Sequence, residues 1–125
     1  MPQEVAVDLK PDTDNELMNR ITHLMEERKL FQRSDLKVSD VAAELGTNSR
    51  YISDCIKACK DCSFTQFVNA CRVENAMQLM RDYPDKKMIQ VYMESGFSNE
   101  TTFFRAFKAQ TGLTPNEWKS GPSKP

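Results

Sequence analysis

Apolar residues recur at helical spacing along most of the chain, and short polar stretches with glycine or proline break the pattern into separate helices. Thr13 and Glu16 have the spacing of a capping box, and Leu17, Ile21, Leu24 and Met25 follow on one face. A first helix is therefore expected to open there and to end between Leu30 and Arg33. Val38, Val41, Ala42 and Leu45 mark a short second helix that Gly46 stops. Asn48 is placed to cap a third, with Tyr51, Ile52, Cys55, Ile56 and Cys59 on its apolar side and Ser49, Arg50, Ser53, Asp54 and Lys57 outward. Ser63 and Gln66 form a second capping box. It opens the longest helix, roughly 16–20 residues or ~25–30 Å, which carries Phe64, Phe67, Val68, Cys71, Ala76, Leu79 and Met80 and stops before Pro84. Asp85 to Ser95 is the next helix and Asn99 to Thr111 the one after, the latter with Phe103 and Phe107 on one face and Arg105 and Lys108 on others. Thr114, Pro115 and Glu117 open a capped final turn in which Trp118 is expected to plug the core. Nothing reads as a strand. The fold class is all-α, with seven helices.

The two halves repeat each other. Val38, Val41, Ala42 and Gly46 answer Met88, Val91, Tyr92 and Gly96, fifty residues on. After the turn the offset becomes fifty-one: Ile52 answers Phe103, Ile56 answers Phe107, Lys57 answers Lys108, Asp61 answers Gly112, Ser63 answers Thr114, Gln66 answers Glu117 and Phe67 answers Trp118. Each copy is a helix, a glycine turn and a second helix with a polar outer face, which is the layout of a helix-turn-helix. Gly46, Gly96 and Gly112 stand where helices end and positive φ is needed, and Asp61 is a tolerable substitute at the remaining such position. One all-helical bundle with accidental similarity is the plainer alternative. The expected organisation is a leader or linker over 1–12, a first helix-turn-helix subdomain over 13–62, a connecting helix over 63–83, a second subdomain over 84–120 and a tail over 121–125.

Composition refines this picture. With 125 residues, 39% hydrophobic and 28% charged, the chain has enough apolar matter for one modest domain or two very small ones. No run approaches the ~20 apolar residues of a membrane span. The first residues lack the basic and apolar regions of a signal peptide, so a cytoplasmic protein is expected. Net charge is −1, but it is unevenly spread: residues 1–46 carry six basic and ten acidic side chains, and residues 47–125 carry eleven basic and eight acidic. The basic second part leans toward nucleic acid, too weakly to decide anything alone.

Other chemistry is thin. Cys59 and Cys62 form a Cys-x-x-Cys pair with Cys55 one turn earlier, a pattern open to zinc or thiol exchange. Cys55 and Cys59 also continue the apolar stripe of Ile52 and Ile56, where cysteine acts as a small hydrophobe. His23 is the one histidine, no nucleophile has a base beside it, and no glycine-rich phosphate loop occurs. The expectation is a non-enzymatic protein with no metal and no cofactor.

Gly96-Phe97-Ser98-Asn99, then Phe103 through Lys108, then Thr111-Gly112-Leu113-Thr114-Pro115-Asn116-Glu117-Trp118 resemble the signature of the AraC/XylS family of transcription regulators. The resemblance covers roughly residues 14–120 and is sharper in the second half. It implies a DNA-binding domain of seven helices in which a long helix joins two helix-turn-helix units, and two recognition helices enter successive major-groove segments. The leading segment and Asp12 to Leu30 also resemble the regulator module at the C-terminal end of Bacteroides-type hybrid two-component sensors. The implied partners are double-stranded DNA, RNA polymerase, and a sensor or dimerisation domain fused to this segment or supplied with it. A helical protein-interaction module without DNA contact is the rival, favoured by the net charge, Asp54 and Glu100.

On the DNA reading, the base-reading candidates are Arg50, Ser53, Asp54, Glu100, Thr101, Phe104 and Arg105. Arg105 is suited to guanine O6 and N7, Asp54 to cytosine N4, and Phe104 either to a thymine methyl or to a lid over the core. Ser49, Lys57, Ser63, Lys108 and Thr114 are phosphate candidates, with Ser63 and Thr114 offering backbone N–H groups near helix starts. Arg72 resembles the family's linker-helix arginine, supporting the two units through an acidic group or touching the backbone. The chain departs from the family at Tyr92, usually alanine; at Asp61, usually glycine; at Lys37 and Lys87, usually hydroxyl caps; and at Asp54, often arginine. Asp54 would be repelled by phosphate, so the first unit is expected to bind less strongly than the second.

Overall fold

The computed structural model describes residues 6–120, with side chains from residue 15 onward. Among the described residues there are seven α-helices and no strand: α1 (Ala6–Arg28), α2 (Val38–Leu45), α3 (Ser49–Lys60), α4 (Phe64–Asp82), α5 (Met88–Glu94), α6 (Glu100–Thr111) and α7 (Pro115–Ser120), with a 3-10 turn at Leu30–Gln32. The expected tail and residues 1–5 of the expected leader lie outside this range.

The helices fall into two compact units. The first takes in α1 as far as Leu30 together with Asp35–Phe67. In it, α1 and α2 pack on α3. Met18, Ile21, Leu24, Met25, Val41, Ala42, Ile52, Cys55 and Ile56 are buried at helical spacing. The second unit takes in Phe31–Ser34 together with the chain from Val68 on. Its core is Val73, Ala76, Met80, Val91, Tyr92, Phe97, Phe103 and Phe107. The Tyr92, Phe97 and Phe107 rings lie 5.3–5.7 Å from Phe103, the spacing of favourable aromatic pairs. The tyrosine that replaces alanine at position 92 is thus absorbed by Phe103.

Local chemistry fixes most boundaries. Asn48 Oδ1 accepts the Tyr51 N–H at 3.0 Å, and Asn99 Oδ1 accepts the Thr102 N–H at 2.9 Å. Gly46 and Gly112 end α2 and α6 at φ 69° and 80°, and Asp61 ends α3 at φ 55°. Asp61 therefore does take the left-handed role that Gly112 plays in the other copy. At Lys37 and Lys87 only half of the capping box forms. Each lysine's backbone N–H donates to the side chain three residues on, at 2.8 Å to Asp40 and 3.4 Å to Gln90. The ammonium has no lone pair with which to return the bond.

Three expectations change. Helix α1 begins at Ala6, so the backbone at Thr13 is helix interior rather than a cap; the helical ladder simply continues through the polar turn. It also ends early, because Lys29 adopts φ 51°. That break lets Leu30 and Phe31, adjacent in sequence, both become buried. Finally, α5 starts at Met88, not Asp85, because the chain after Pro84 closes a turn through Lys86 N–H to Tyr83 O at 2.9 Å.

Candidate nucleic-acid interface

The outer faces of α3 and α6 follow directly from what their inner faces bury. In α6, Phe103 and Phe107 are fully buried. Each contributes about 1.5–3 kcal/mol by leaving water. Their burial fixes the rotation of the helix and leaves Glu100, Thr101, Arg105 and Lys108 exposed. Thr101 and Arg105 are one turn apart and share a face. Among the described residues, neither Arg105 nor Lys108 has an ion-pair partner. Phe104 is half-buried and packs on the core, its ring 5.8 Å from Phe103. Of its two expected roles, the contacts present are those of the lid.

In α3, Ile52, Cys55 and Ile56 face inward. Arg50, Asp54 and Lys57 face outward, while Ser49 and Ser53 are half-buried on the flanks. The outward charges pair along the helix: Arg50 Nε lies 3.8 Å from Asp54 Oδ2, and Lys57 Nζ lies 3.7 Å from Asp61 Oδ1. Such exposed pairs are worth little, about 0–1 kcal/mol, but each sets a carboxylate beside a cation. The α3 face is therefore closer to neutral than the α6 face. Tyr51, expected on the apolar side of α3, is instead 62% exposed. It sits at the edge of the stripe, where no neighbouring helix covers it, and it adds an aromatic surface beside Arg50 that the periodicity did not reveal.

Ser63 and Thr114 each hold a complete reciprocal cap. Ser63 N–H donates to Gln66 Oε1 at 2.9 Å and Ser63 Oγ accepts from Gln66 N–H at 3.1 Å. Thr114 and Glu117 make the same two bonds at 2.9 and 3.1 Å. The backbone N–H groups of Ser63 and Thr114 are thus engaged within their caps, and Glu117 places a carboxylate beside the second of them.

Arg72 is buried, and burial pushes its guanidinium below its ordinary pKa. It meets no acid. Its Nε donates to Phe31 O and its Nη2 to Arg33 O, both at 2.7 Å, and its Nη1 donates to Asn69 Oδ1 at 2.9 Å. The guanidinium carbon lies 5.8 Å from the centre of the Phe97 ring. Arg72 is therefore a clasp on protein carbonyls within the second unit, not the partner of a carboxylate. Trp118, expected to plug the core, is half-buried at its rim, edge-on to Phe107 at 5.9 Å and under Arg81 at 5.4 Å.

All four cysteines remain thiols, Cys55 buried and the others half-buried. Among the described residues no cluster of three or more His, Cys, Asp or Glu is arranged to hold a metal. No helix among them is long and apolar enough to cross a membrane.

Residues 41–121 match the family model described as a helix-turn-helix domain. An uncharacterized HTH-type transcriptional regulator of Staphylococcus aureus is 25% identical over 101 residues, which are 81% of this chain and 13% of that protein. The chain thus spans about an eighth of the length of this relative. Among solved structures, it is similar to the C-terminal domain of AraT, a response regulator from Geobacillus stearothermophilus. That likeness has a TM-score of 0.68 and 26% identity and covers 80% of this chain and 83% of that one. The C-terminal domain of the two-component response regulator yesN from Fusobacterium nucleatum shares the fold, with a TM-score of 0.69 and 22% identity over 83% of this chain and 98% of that one.

Proposed function

Because the chain belongs to the AraC-type family of helix-turn-helix domains, we propose that it binds double-stranded DNA by sequence and regulates transcription, with α3 and α6 entering successive major-groove segments. The observation that carries this reading is the α6 face. A helix whose rotation is pinned by two fully buried phenylalanines holds Arg105 and Lys108 outward without ion-pair partners among the described residues. Arg105 serves as the guanine reader, Glu100 and Thr101 flank it, and Lys108 neutralises phosphate. In the first unit Arg50 and Ser53 read bases and Ser49 and Lys57 meet phosphate, while Asp54, beside Arg50, weakens that unit's hold. The likeness to response-regulator domains supports a two-component setting, in which phosphorylation elsewhere in the protein supplies the signal. RNA polymerase, a fused sensor or dimerisation domain and a cytoplasmic location belong to the same proposal. No catalytic residue, cofactor or metal enters it.

Selection of bound duplexes from a random DNA pool at about 0.1 M salt, where surface electrostatics are only partly screened, tests the reading with wild type and Arg105→Ala side by side. The expected result is a motif spanning two major-groove segments, of which Arg105→Ala loses the part beneath the second unit. A motif of one segment confines base reading to one unit. No enrichment, with retention that stays weak as salt is lowered, overturns DNA binding and leaves the helical interaction module.

A further inference from the structure

The two copies of the helix-turn-helix differ at the turn. Gly46, at φ 69°, has nothing within 4 Å of the place where a Cβ would stand. Gly96, at φ 103°, has no such room. A Cβ on it would fall well inside the contact distance of Phe31 O and come to 3.0 Å from both Arg72 Nε and Gln32 Cα. The strap Phe31–Ser34, which follows α1 in the chain, thus lies directly over the turn that precedes α6. Arg72 holds it there through the carbonyls of Phe31 and Arg33.

The turn is gripped from α4 as well. Ser95 is fully buried, donates its hydroxyl to Val91 O at 2.8 Å and accepts from Asn75 Nδ2 at 3.1 Å. Phe97 N–H donates to Tyr92 O at 3.0 Å. The Phe97 ring stands between the Arg72 guanidinium, 5.8 Å away, and the Phe103 ring, 5.3 Å away. Phe103 is the inward anchor of α6. Arg105, two residues later, points about 200° around the helix from it. Any rotation of α6 about Phe103 therefore moves Arg105 across the DNA-facing side.

We propose that Arg72 is a positioning residue for base reading: it clasps the Phe31–Arg33 strap over Gly96 and, through Phe97, sets the rotation of α6 that aims Arg105. The inference rests on the DNA-binding reading above. It makes the second unit the preset reader, and it makes the strap the place where a change in the chain just after α1 reaches the bases.

The test is selection and affinity measurement on the full chain, well below its unfolding midpoint, for wild type, Arg72→Met, Arg105→Ala and the double variant. Methionine keeps an apolar stem and removes the guanidinium. Arg72→Met is expected to blur the half of the motif beneath the second unit and to weaken binding to the wild-type site at least tenfold, with the other half unchanged. Arg105→Ala is expected to cost far less on the Arg72→Met background than alone, because a misaimed arginine has little left to lose. If Arg72→Met does not fold, Asn69→Ala, which removes one acceptor of the same guanidinium, is expected to change the motif in the same direction by a smaller factor. Equal weakening of both halves, additive losses, or an unchanged motif with Asn69→Ala and Arg72→Met overturns the positioning role while leaving DNA binding intact. Failure of the wild type itself to select a motif overturns the DNA reading and this inference with it.

Discussion

Replacing Gly96 by alanine measures how firmly the second turn is held. Gly112 is the control: it lies in the same unit, at φ 80°, with nothing within 4 Å of a new Cβ. Gly112→Ala therefore carries only the cost of a left-handed alanine, about 1–2 kcal/mol. Gly96→Ala adds two effects. Its φ of 103° lies outside the left-handed well that alanine tolerates, a strain of about 1–3 kcal/mol. The new methyl also requires Phe31 O to retreat by about 1 Å. That motion pulls the carbonyl from Arg72 Nε and leaves buried donor and acceptor poorly matched, a further ~1.5–3 kcal/mol. Beyond the cost shared with Gly112→Ala, the two effects come to about 2.5–6 kcal/mol, a large part of a small domain's typical ~5–15 kcal/mol. Trp118, the one tryptophan, sits against Phe107 in the second unit and reports its unfolding by fluorescence. With a urea slope near 2 kcal/mol per molar, the Gly96→Ala midpoint should fall about 1–3 M further than that of Gly112→Ala. Midpoints that coincide within about 0.3 M would show that the strap yields cheaply and that the turn is not tightly held.

Asp54→Asn removes the carboxylate beside Arg50 and is expected to raise DNA affinity about twofold to fivefold; fluorescence anisotropy at two salt concentrations reads this, and a fall in affinity would mean that the carboxylate itself makes a favourable base contact. Lys108→Ala should lower the slope of log affinity against log salt by about 1 while leaving the selected motif unchanged, and an altered motif would move Lys108 from the phosphates to the bases. Asn99→Ala removes the cap of α6 and should destabilise the second unit by about 0.5–2 kcal/mol, seen as a lower Trp118 unfolding midpoint; no shift would mean that water replaces the cap at no cost.

What the sequence disclosed was decided by residues within about four positions of one another. The caps at Asn48 and Asn99, the boxes at Ser63 with Gln66 and Thr114 with Glu117, and the left-handed Asp61 all stand where expected. Each is a local bond or a local φ, and the fifty-residue repeat showed the same bond twice. The outward placement of Arg105 and Lys108 was legible for the same reason, since Phe103 and Phe107 alone fix the inner side. What stayed hidden depended on remote neighbours. Tyr51 has a core-like period and lacks a covering helix. Arg72 was expected to meet an acid or the DNA backbone, and it holds protein carbonyls about forty positions earlier in the chain. Thr13 offered a credible cap, but a cap operates only if the preceding backbone leaves the helix, and here it does not.

The strap also bears on how the protein can be made and divided. Residues Phe31–Ser34 belong with the second unit although the chain on either side of them belongs with the first. During synthesis they are made well before Arg72 and Gly96. The first unit can assemble as it emerges, whereas the second must wait and then close over a segment made long before the rest of it. Cleavage at the start of α4 therefore yields no two self-sufficient halves. The C-terminal piece would keep Gly96 and Arg72 but lose the carbonyls they enclose, leaving a buried guanidinium without two of its acceptors. Two copies of one motif have in this way ceased to be interchangeable modules.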